Sequence, residues 1–312
     1  MNIYYGLNKI DDNLKGKVIT IGSFDGIHRG HKKILETLKK ISVREGKENL
    51  LITFEPHPRM VLEGIKENFL LTTLEDKMYM FETSNLVDNL LIIPFDKSFA
   101  QISADDFVDK IVVDRLSPSI FVVGYDTHFG NNRKGDIVKL KSILSKERIK
   151  IEIVDPEIED GQIISSSIIR KFIKFGNIET ANKFLGYKYF VKGSVVKGEG
   201  RGAILGFPTA NIEFDEKIKI MPQNGVYAVG VIYEGKKYKG MMNVGKRPTF
   251  DEKLSLEVHI LDFNENLYNK TLKINFIKRL RDEVKFPSEN ELIEQLKKDK
   301  EEIKSLKEEL WL

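Results

Sequence analysis

Val18-Ile19-Thr20-Ile21-Gly22-Ser23-Phe24-Asp25-Gly26-Ile27-His28-Arg29-Gly30-His31 passes from an apolar run, through spaced glycines, into a helical pattern at Ile34, Leu35, Leu38 and Ile41. Strand, polar loop and helix in that order form the unit from which open parallel sheets are built. The same grammar continues outward. Residues 50–54, 90–95, 120–124 and 151–154 read as further strands. Residues 103–115 read as a helix, with Ser103 as its cap and Asp106 three residues later. Apolar strands separated by amphipathic helices predict a parallel sheet covered on both faces, an α/β domain.

Residues 166–185 are helical in pattern, broken at Gly176-Asn177 and stopped by Gly186. The domain boundary is placed there, giving domains 1–186 and 187–312. Beyond it the pattern changes. Residues 189–197, 225–233, 237–243, 254–263 and 271–278 read as strands rich in Val, Ile and Tyr, with Glu234-Gly235-Lys236 as a hairpin turn. So many short strands predict a small antiparallel barrel. Ser288 and Glu291 form a capping box for a terminal helix whose apolar stripe includes Leu292, Leu296 and Ile303. The stripe predicts a face docked on the barrel.

A chain of 312 residues is long enough for those two domains. Lys and Arg number 50 against 47 Asp and Glu, interspersed, which argues against a dedicated nucleic-acid binder. The chain has no cysteine, so disulfides, thiolate metal sites, cysteine-held clusters and cysteine nucleophiles are excluded. No apolar run approaches the length of a membrane span, and charge at Lys9, Asp11 and Asp12 interrupts any apolar leader. A cytoplasmic protein is expected, without nucleic-acid or membrane partners, and a weak homo-oligomer is left open.

The opening loop carries the first chemistry. In open α/β sheets ligands bind beyond the carboxyl ends of the strands, and a helix N-terminus offers free N–H groups to an anion. His28 and His31 share one side of the first helical turn, where two imidazoles could neutralise a phosphate chain. A metal pair is one competing reading, though a third ligand is missing; ordinary helix-start histidines are the other. Neither accounts for the glycines. Three later segments fall at strand ends or helix starts: residues 53–59, residues 124–135, and Ile164-Ser165-Ser166-Ser167-Ile168-Ile169-Arg170. Together they predict one phosphate-rich pocket.

Phe-Asp-Gly-x-His-x-Gly-His resembles the nucleotidyltransferase superfamily. With Thr53-Phe54-x-Pro56-His57-Pro58, the Gly124–Gly135 loop and Ile164-Ser165-Ser166-x-x-x-Arg170, it resembles more narrowly the adenylyltransferase domain of bacterial bifunctional riboflavin kinase/FAD synthetases. The resemblance implies a Rossmann-like nucleotidyltransferase sheet in which Gly22, Ser23, Phe24, Asp25, His28, His31, Ser166, Ser167 and Arg170 bind ATP. His28, His31 and Arg170 would be catalytic, and Phe54, His57, Pro58 and Asp126 would lie near the flavin. Two positions depart: the family usually has an aromatic where Thr127 stands and a threonine where Ser167 stands.

The second half has neither a P-loop nor protein-kinase signatures. Gly198-Glu199-Gly200-Arg201-Gly202-Ala203 satisfies a dinucleotide-binding pattern, but Pro208 follows where that fold requires a long helix. A flexible glycine-rich flap is expected instead. Thr209 and Asn211 alternate on an extended segment and could face one Mg²⁺, or could merely make a turn. Glu257 is an acidic residue inside an apolar strand, where partial burial would suit it to take a proton from an alcohol; a solvent-facing glutamate is the plainer reading.

Gly200-Arg201-Gly202-x-x-x-Gly206-Phe207-Pro208-Thr209-Ala210-Asn211, Met242-Asn243-Val244-Gly245-x-Arg247-Pro248-Thr249-Phe250 and Glu257-x-His259-x-x-Asp262-Phe263 resemble riboflavin kinase, as does Leu280-Arg281-x-Glu283-x-Lys285-Phe286. That resemblance implies a six-stranded barrel with Gly198, Gly200, Gly202, Gly206, Thr209 and Asn211 at ATP. Thr209 and Asn211 would hold Mg²⁺, Glu257 would be the base, and Phe207, Arg281 and Glu283 would meet the flavin. The whole chain thus resembles an enzyme that phosphorylates riboflavin to FMN and adenylylates FMN to FAD, with ATP as co-substrate. The alternatives are a monofunctional riboflavin kinase and a flavin carrier.

Overall fold

The computed structural model describes residues 1–131, 135–198, 200–214, 218–246 and 254–311. Asn132-Arg133-Lys134, Glu199 and Arg247-Pro248-Thr249-Phe250 of the motifs above lie outside the described residues. Packing divides the chain into two compact units, Met1–Ser166 and Ser167–Leu312.

In the first unit the described elements run β1 (Asn2–Tyr5), β2 (Val18–Ile21), α1 (Arg29–Arg44), β3 (Asn49–Glu55), α2 (Pro58–Glu63), α3 (Leu74–Ser84) and β4 (Asn89–Pro94). Then come α4 (Ala104–Asp106, prolonged as a π-helix over Phe107–Leu116), β5 (Ile120–Gly124), α5 (Ile137–Lys146), β6 (Lys150–Val154), β7 (Ile158–Glu159) and β8 (Gln162–Ile163). Six strands form one parallel sheet in the order β1-β4-β3-β2-β5-β6. The alternating strand residues explain why it is buried on both sides. Val18, Leu51 and Ile92 face Leu35 and Leu38 of α1 and Phe81 of α3. Ile19, Leu50 and Leu91 face Val108 and Val112 of α4 and Leu140 of α5. Each buried aliphatic side chain contributes about 1.5–3 kcal/mol, so a one-residue slip of register would be costly. The strand order reverses beside β2, which places the crevice of the sheet at the β2–α1 loop.

Four features of the chain differ from the sequence expectation. β1 is a largely exposed edge strand whose Asn-Ile-Tyr-Tyr carries no alternation. The β7–β8 hairpin turns at Asp160 (φ 49°) and Gly161 (φ 72°), a pairing suited to two-residue turns. Helix α4 is capped by Ser103 as expected, but from Phe107 it widens to π-helical geometry. The glycine-rich segment ahead of Phe207 contains one helical turn, Arg201–Ile204, rather than only a flap.

The second unit comprises α6 (Ser166–Lys174, whose first residue closes the first unit), α7 (Ile178–Leu185), β9 (Phe190–Val196), that turn α8 (Arg201–Ile204), β10 (Ala210–Glu213), β11 (Gly225–Tyr233), β12 (Lys236–Lys246), β13 (Leu254–Ile260), β14 (Thr271–Arg281) and α9 (Glu289–Ser305). Helix α7 packs with the barrel because Asn182 spans both: its amide donates to the Phe276 carbonyl (2.9 Å) and its oxygen accepts from the Tyr189 N–H (2.7 Å). The six strands close into an antiparallel barrel, order β10-β13-β12-β11-β14-β9. On β13, Leu256, Val258 and Ile260 are buried, so by strand alternation Glu257 and His259 belong to the opposite face. Phe207, Met241 and Ile277 pack with Ile303, Leu296 and Leu306, which docks α9 and the residues after it on the barrel.

Candidate functional sites

In the first unit the β2–α1 loop is held in a shape its residues would not choose. Phe24 (φ 47°) and Ile27 (φ 34°) occupy the left-handed region, which costs non-glycine residues about 1–3 kcal/mol each. Surrounding bonds hold it there. The Asp25 carboxylate accepts from the N–H groups of Leu71 (2.9 Å) and Thr72 (3.0 Å), and the Thr72 hydroxyl accepts from the Gly26 N–H (2.8 Å). The Ser166 hydroxyl donates to the Asp25 carbonyl (2.8 Å). The Ser23 carbonyl accepts from Thr53 Oγ1 (3.3 Å) and Lys77 Nζ (3.4 Å).

Lys77 is 2% exposed. Burial pushes its pKa down, opposed by Glu55 and Asp25, while burial pushes Glu55 up against the pull of Lys77. Thr72 and Lys77 escaped sequence reasoning because nothing local marks them; they reach the loop only through the fold.

His28 caps α1: its Nδ1 accepts from the His31 N–H at 3.3 Å. With Nδ1 an acceptor, the neutral ring carries its proton on Nε2. The two imidazoles stack, centroids 3.7 Å apart at 18°, and Phe24 packs 5.0 Å from His31. A Cβ at Gly30 would come 3.2 Å from His28 Nδ1, close enough to press on the imidazole. The variable residue of the motif, Arg29, turns aside to Glu157 (2.9 Å) and Glu159 of the β7 segment. Ser167 and Arg170 lie on α6 in the second unit, and Arg170 is buried.

Of the residues expected near a flavin, Phe54 belongs to an aromatic group with Phe95 (5.6 Å) and Phe99 (5.9 Å). His57 caps α2 just before Pro58, accepting from the Arg59 N–H (3.1 Å), with its ring against Phe69. Asp126 is exposed in the turn after β5, and the Thr127 hydroxyl closes that turn on the Gly124 carbonyl (2.8 Å).

In the second unit a cleft of about 470 Å³ opens between the barrel and α9. Phe207, Met241, Phe286, Leu292 and Leu296 give it apolar walls, and Thr209, Glu257, Arg281 and Glu283 give it polar ones. Glu257 is half-buried and sits in register between Asn211 of β10 and Asn243 of β12. Glu283 accepts from the Asn243 amide (3.1 Å). The glycine loop lies close above the proposed metal donors: a Cβ at Gly198 would fall 2.0 Å from the Asn211 amide, and one at Gly202 would fall 3.1 Å from Thr209 Oγ1. Gly200 and Gly206 take positive φ on either side of α8.

Arg281 does more than line the cleft. It pairs with Asp299 of α9 (Nη2–Oδ2 2.8 Å), and Asp299 also accepts from Gln295 (2.8 Å). The Asp299 side chain is 3% exposed and that of Arg281 is 19% exposed, so the two deletions are unequal. Arg281→Met strands a buried carboxylate and is expected to cost about 3 kcal/mol, whereas Asp299→Ala leaves a cation with access to water and costs roughly half that. Urea unfolding followed by fluorescence of the single tryptophan, Trp311, which packs in the α9–barrel cluster, measures both.

His259 is held below the usual imidazole pKa by burial first; the Pro208 carbonyl and Asp262 oppose this and Lys300 adds to it. The unfolded chain therefore binds the extra proton. The part of this unit's stability linked to His259 is complete above the ordinary value near 6.5 and is lost as pH falls through the folded pKa. The Trp311 urea midpoint is expected to drop between about pH 7.5 and about 5.5, with a smaller drop in His259→Asn.

The FAD synthetase family model matches residues 10–168 and the riboflavin kinase family model matches residues 185–307. A bifunctional riboflavin kinase/FMN adenylyltransferase of Bacillus subtilis is 39% identical over 290 residues, 91% of this chain and 90% of its own. One of the same description from Haemophilus influenzae is 34% identical over 307 residues, 98% and 99% of the two chains. Among solved structures, a Streptococcus pneumoniae chain titled a macrolide-efflux protein superposes with a TM-score of 0.90 at 30% identity, covering 98% of this chain and 100% of its own. Among the described residues no helix is long and apolar enough to cross a membrane.

Proposed function

The chain belongs to the bifunctional riboflavin kinase/FMN adenylyltransferase family, and from that premise we propose which of its residues carry each reaction. The protein phosphorylates riboflavin to FMN and adenylylates FMN to FAD, consuming ATP in both steps.

Adenylylation belongs to the first unit. The FMN phosphate is already an anion, so a phosphate oxygen bonds to the α-phosphorus of ATP without a general base. The bond from that phosphorus to the bridging oxygen of the β-phosphate breaks, and pyrophosphate leaves. Such a step needs positioning and charge neutralisation. The stacked His28 and His31 at the start of α1 carry this assignment, as donors to the polyphosphate. Gly22, Ser23 and Phe24 line the nucleotide, while the Asp25 carboxylate anchors the loop to Leu71 and Thr72. Phe54, His57, Pro58 and Asp126 are assigned to the flavin. Ser167 and Arg170 keep only the role that the resemblance implies.

Phosphorylation belongs to the barrel. The observation that carries it is Glu257 in the same cleft as Thr209 and a set of apolar walls large enough for a flavin ring. Glu257 takes the proton of the ribityl 5′-hydroxyl as its oxygen bonds to the γ-phosphorus, and ADP departs with the electrons of the broken bond. Phe207, Met241, Phe286 and the α9 leucines grip the ring. Thr209 and Asn211 offer hard oxygen donors beneath a loop whose glycines let it lie close over them, a set that fits Mg²⁺ arriving with ATP. The ion, when bound, neutralises phosphate charge. No three His, Asp or Glu side chains among the described residues cluster to hold an ion alone, in keeping with delivery as Mg–ATP.

Consumption of cellular ATP favours a cytoplasmic setting, and the weak homo-oligomer that the sequence leaves open is tested by sedimentation. The functional test is chromatographic. Purified protein with riboflavin, ATP and Mg²⁺ should yield FMN and then FAD, and with FMN and ATP should yield FAD and pyrophosphate. Failure to convert riboflavin would overturn the barrel assignment, and failure to convert FMN would overturn that of the first unit.

A further inference from the structure

Glu257 does not stand alone on its face of β13. Two residues further, on the same side, is His259, 7% exposed and lining the same cleft. Its Nδ1 lies 2.8 Å from the Pro208 carbonyl oxygen, and its ring meets Phe207 edge-on at 5.3 Å. A carbonyl oxygen can only accept, so at this distance Nδ1 carries the proton.

Pro208 has no N–H, so its carbonyl is the sole hydrogen-bonding handle on its backbone. On one side of Pro208 is Phe207, whose ring walls the flavin cleft and whose N–H bonds to the Gly202 carbonyl (2.8 Å). On the other is Thr209, assigned to the nucleotide and its metal. One bond from β13 therefore fixes a tripeptide that faces both substrates, at the strand that also carries Glu257.

We propose that His259 is a positioning residue of the kinase site: its Nδ1–H holds the Pro208 carbonyl and thereby sets Phe207 against the flavin and Thr209 against Mg–ATP, in register with Glu257. This deepens the barrel assignment above and rests on it. The chemistry requires a donor at the Nδ1 position and nothing from Nε2. The Asn amide places an N–H where Nδ1 stands, whereas the Gln amide reaches the position of Nε2.

The test uses the full-length protein as wild type, His259→Asn, His259→Gln and His259→Ala. FMN formation is measured against both riboflavin and Mg–ATP, with FAD formation from supplied FMN in the same samples as the check on folding. The Ala and Gln variants are expected to lose about 10- to 100-fold in kcat/KM, with KM rising for both substrates, the scale of a small misplacement of catalytic groups. Asn should restore activity to within about threefold of wild type, and FAD formation from FMN should be unchanged throughout. Equal activity in Asn and Gln variants, or a loss confined to kcat, would overturn the proposal. Retention of full activity by Ala would overturn it as well. A wild-type protein that makes no FMN would overturn the barrel assignment itself, a result distinct from all of these.

Discussion

Glu257→Gln in the full-length protein is expected to reduce FMN formation from riboflavin at least about 100-fold, while FAD formation from supplied FMN stays within about twofold of wild type. The substitution keeps side-chain volume, so the half-buried position between Asn211 and Asn243 is still filled. It removes only the capacity to accept a proton. Because the loss falls on a chemical step, kcat should collapse while KM for riboflavin moves little. A variant that binds riboflavin normally but phosphorylates it at the wild-type rate would remove Glu257 from the role of base.

The complementary result is expected from the histidine pair. His31→Ala combined with His28→Asn should let riboflavin proceed to FMN and stop there, with adenylylation reduced by about 10³-fold or more. Asn is chosen at position 28 because the imidazole there has two duties. Its Nδ1 caps α1, and loss of a cap alone costs about 1 kcal/mol; Asn keeps a capping oxygen while removing the Nε2 donor. If the pair only shaped the helix start, His28→Asn would retain adenylylation. Formation of FMN from riboflavin in the same sample separates a failed step from a failed preparation.

Much of this architecture is legible in the chain, for definable reasons. Parallel strands buried on both faces must be apolar runs, and β2 to β5 of the first sheet are, whereas the edge strand β6 alternates apolar with charged residues. β1 escaped because an exposed edge strand is under no such pressure. The β7–β8 hairpin was missed although Asp160-Gly161 signals it, since two-residue strands leave no periodicity to detect. The π-helical stretch at Phe107–Leu116 is invisible to a 3.6-residue template. In the sites, His28, His31 and Glu257 stand out because each breaks its local pattern. The residues that hold them do not: Thr72 and Lys77 read as ordinary helix-start and helix residues, and Asp299 reads as one more charge on a polar helix face. Their partners lie far along the chain, and only the fold brings Asp299 to Arg281 or Lys77 to Ser23.

Helix α9 follows every barrel strand in the chain, yet it supplies one wall of the cleft proposed for riboflavin and the carboxylate that neutralises Arg281. During synthesis, therefore, a chain whose six barrel strands have all emerged from the ribosome has no closed flavin site and carries an uncompensated guanidinium. The nucleotide loop at Gly22–His31 is translated early, although its Ser166 bond waits for the end of the first unit. A premature stop between β14 and α9 would remove that wall of the cleft and leave Arg281 without its carboxylate.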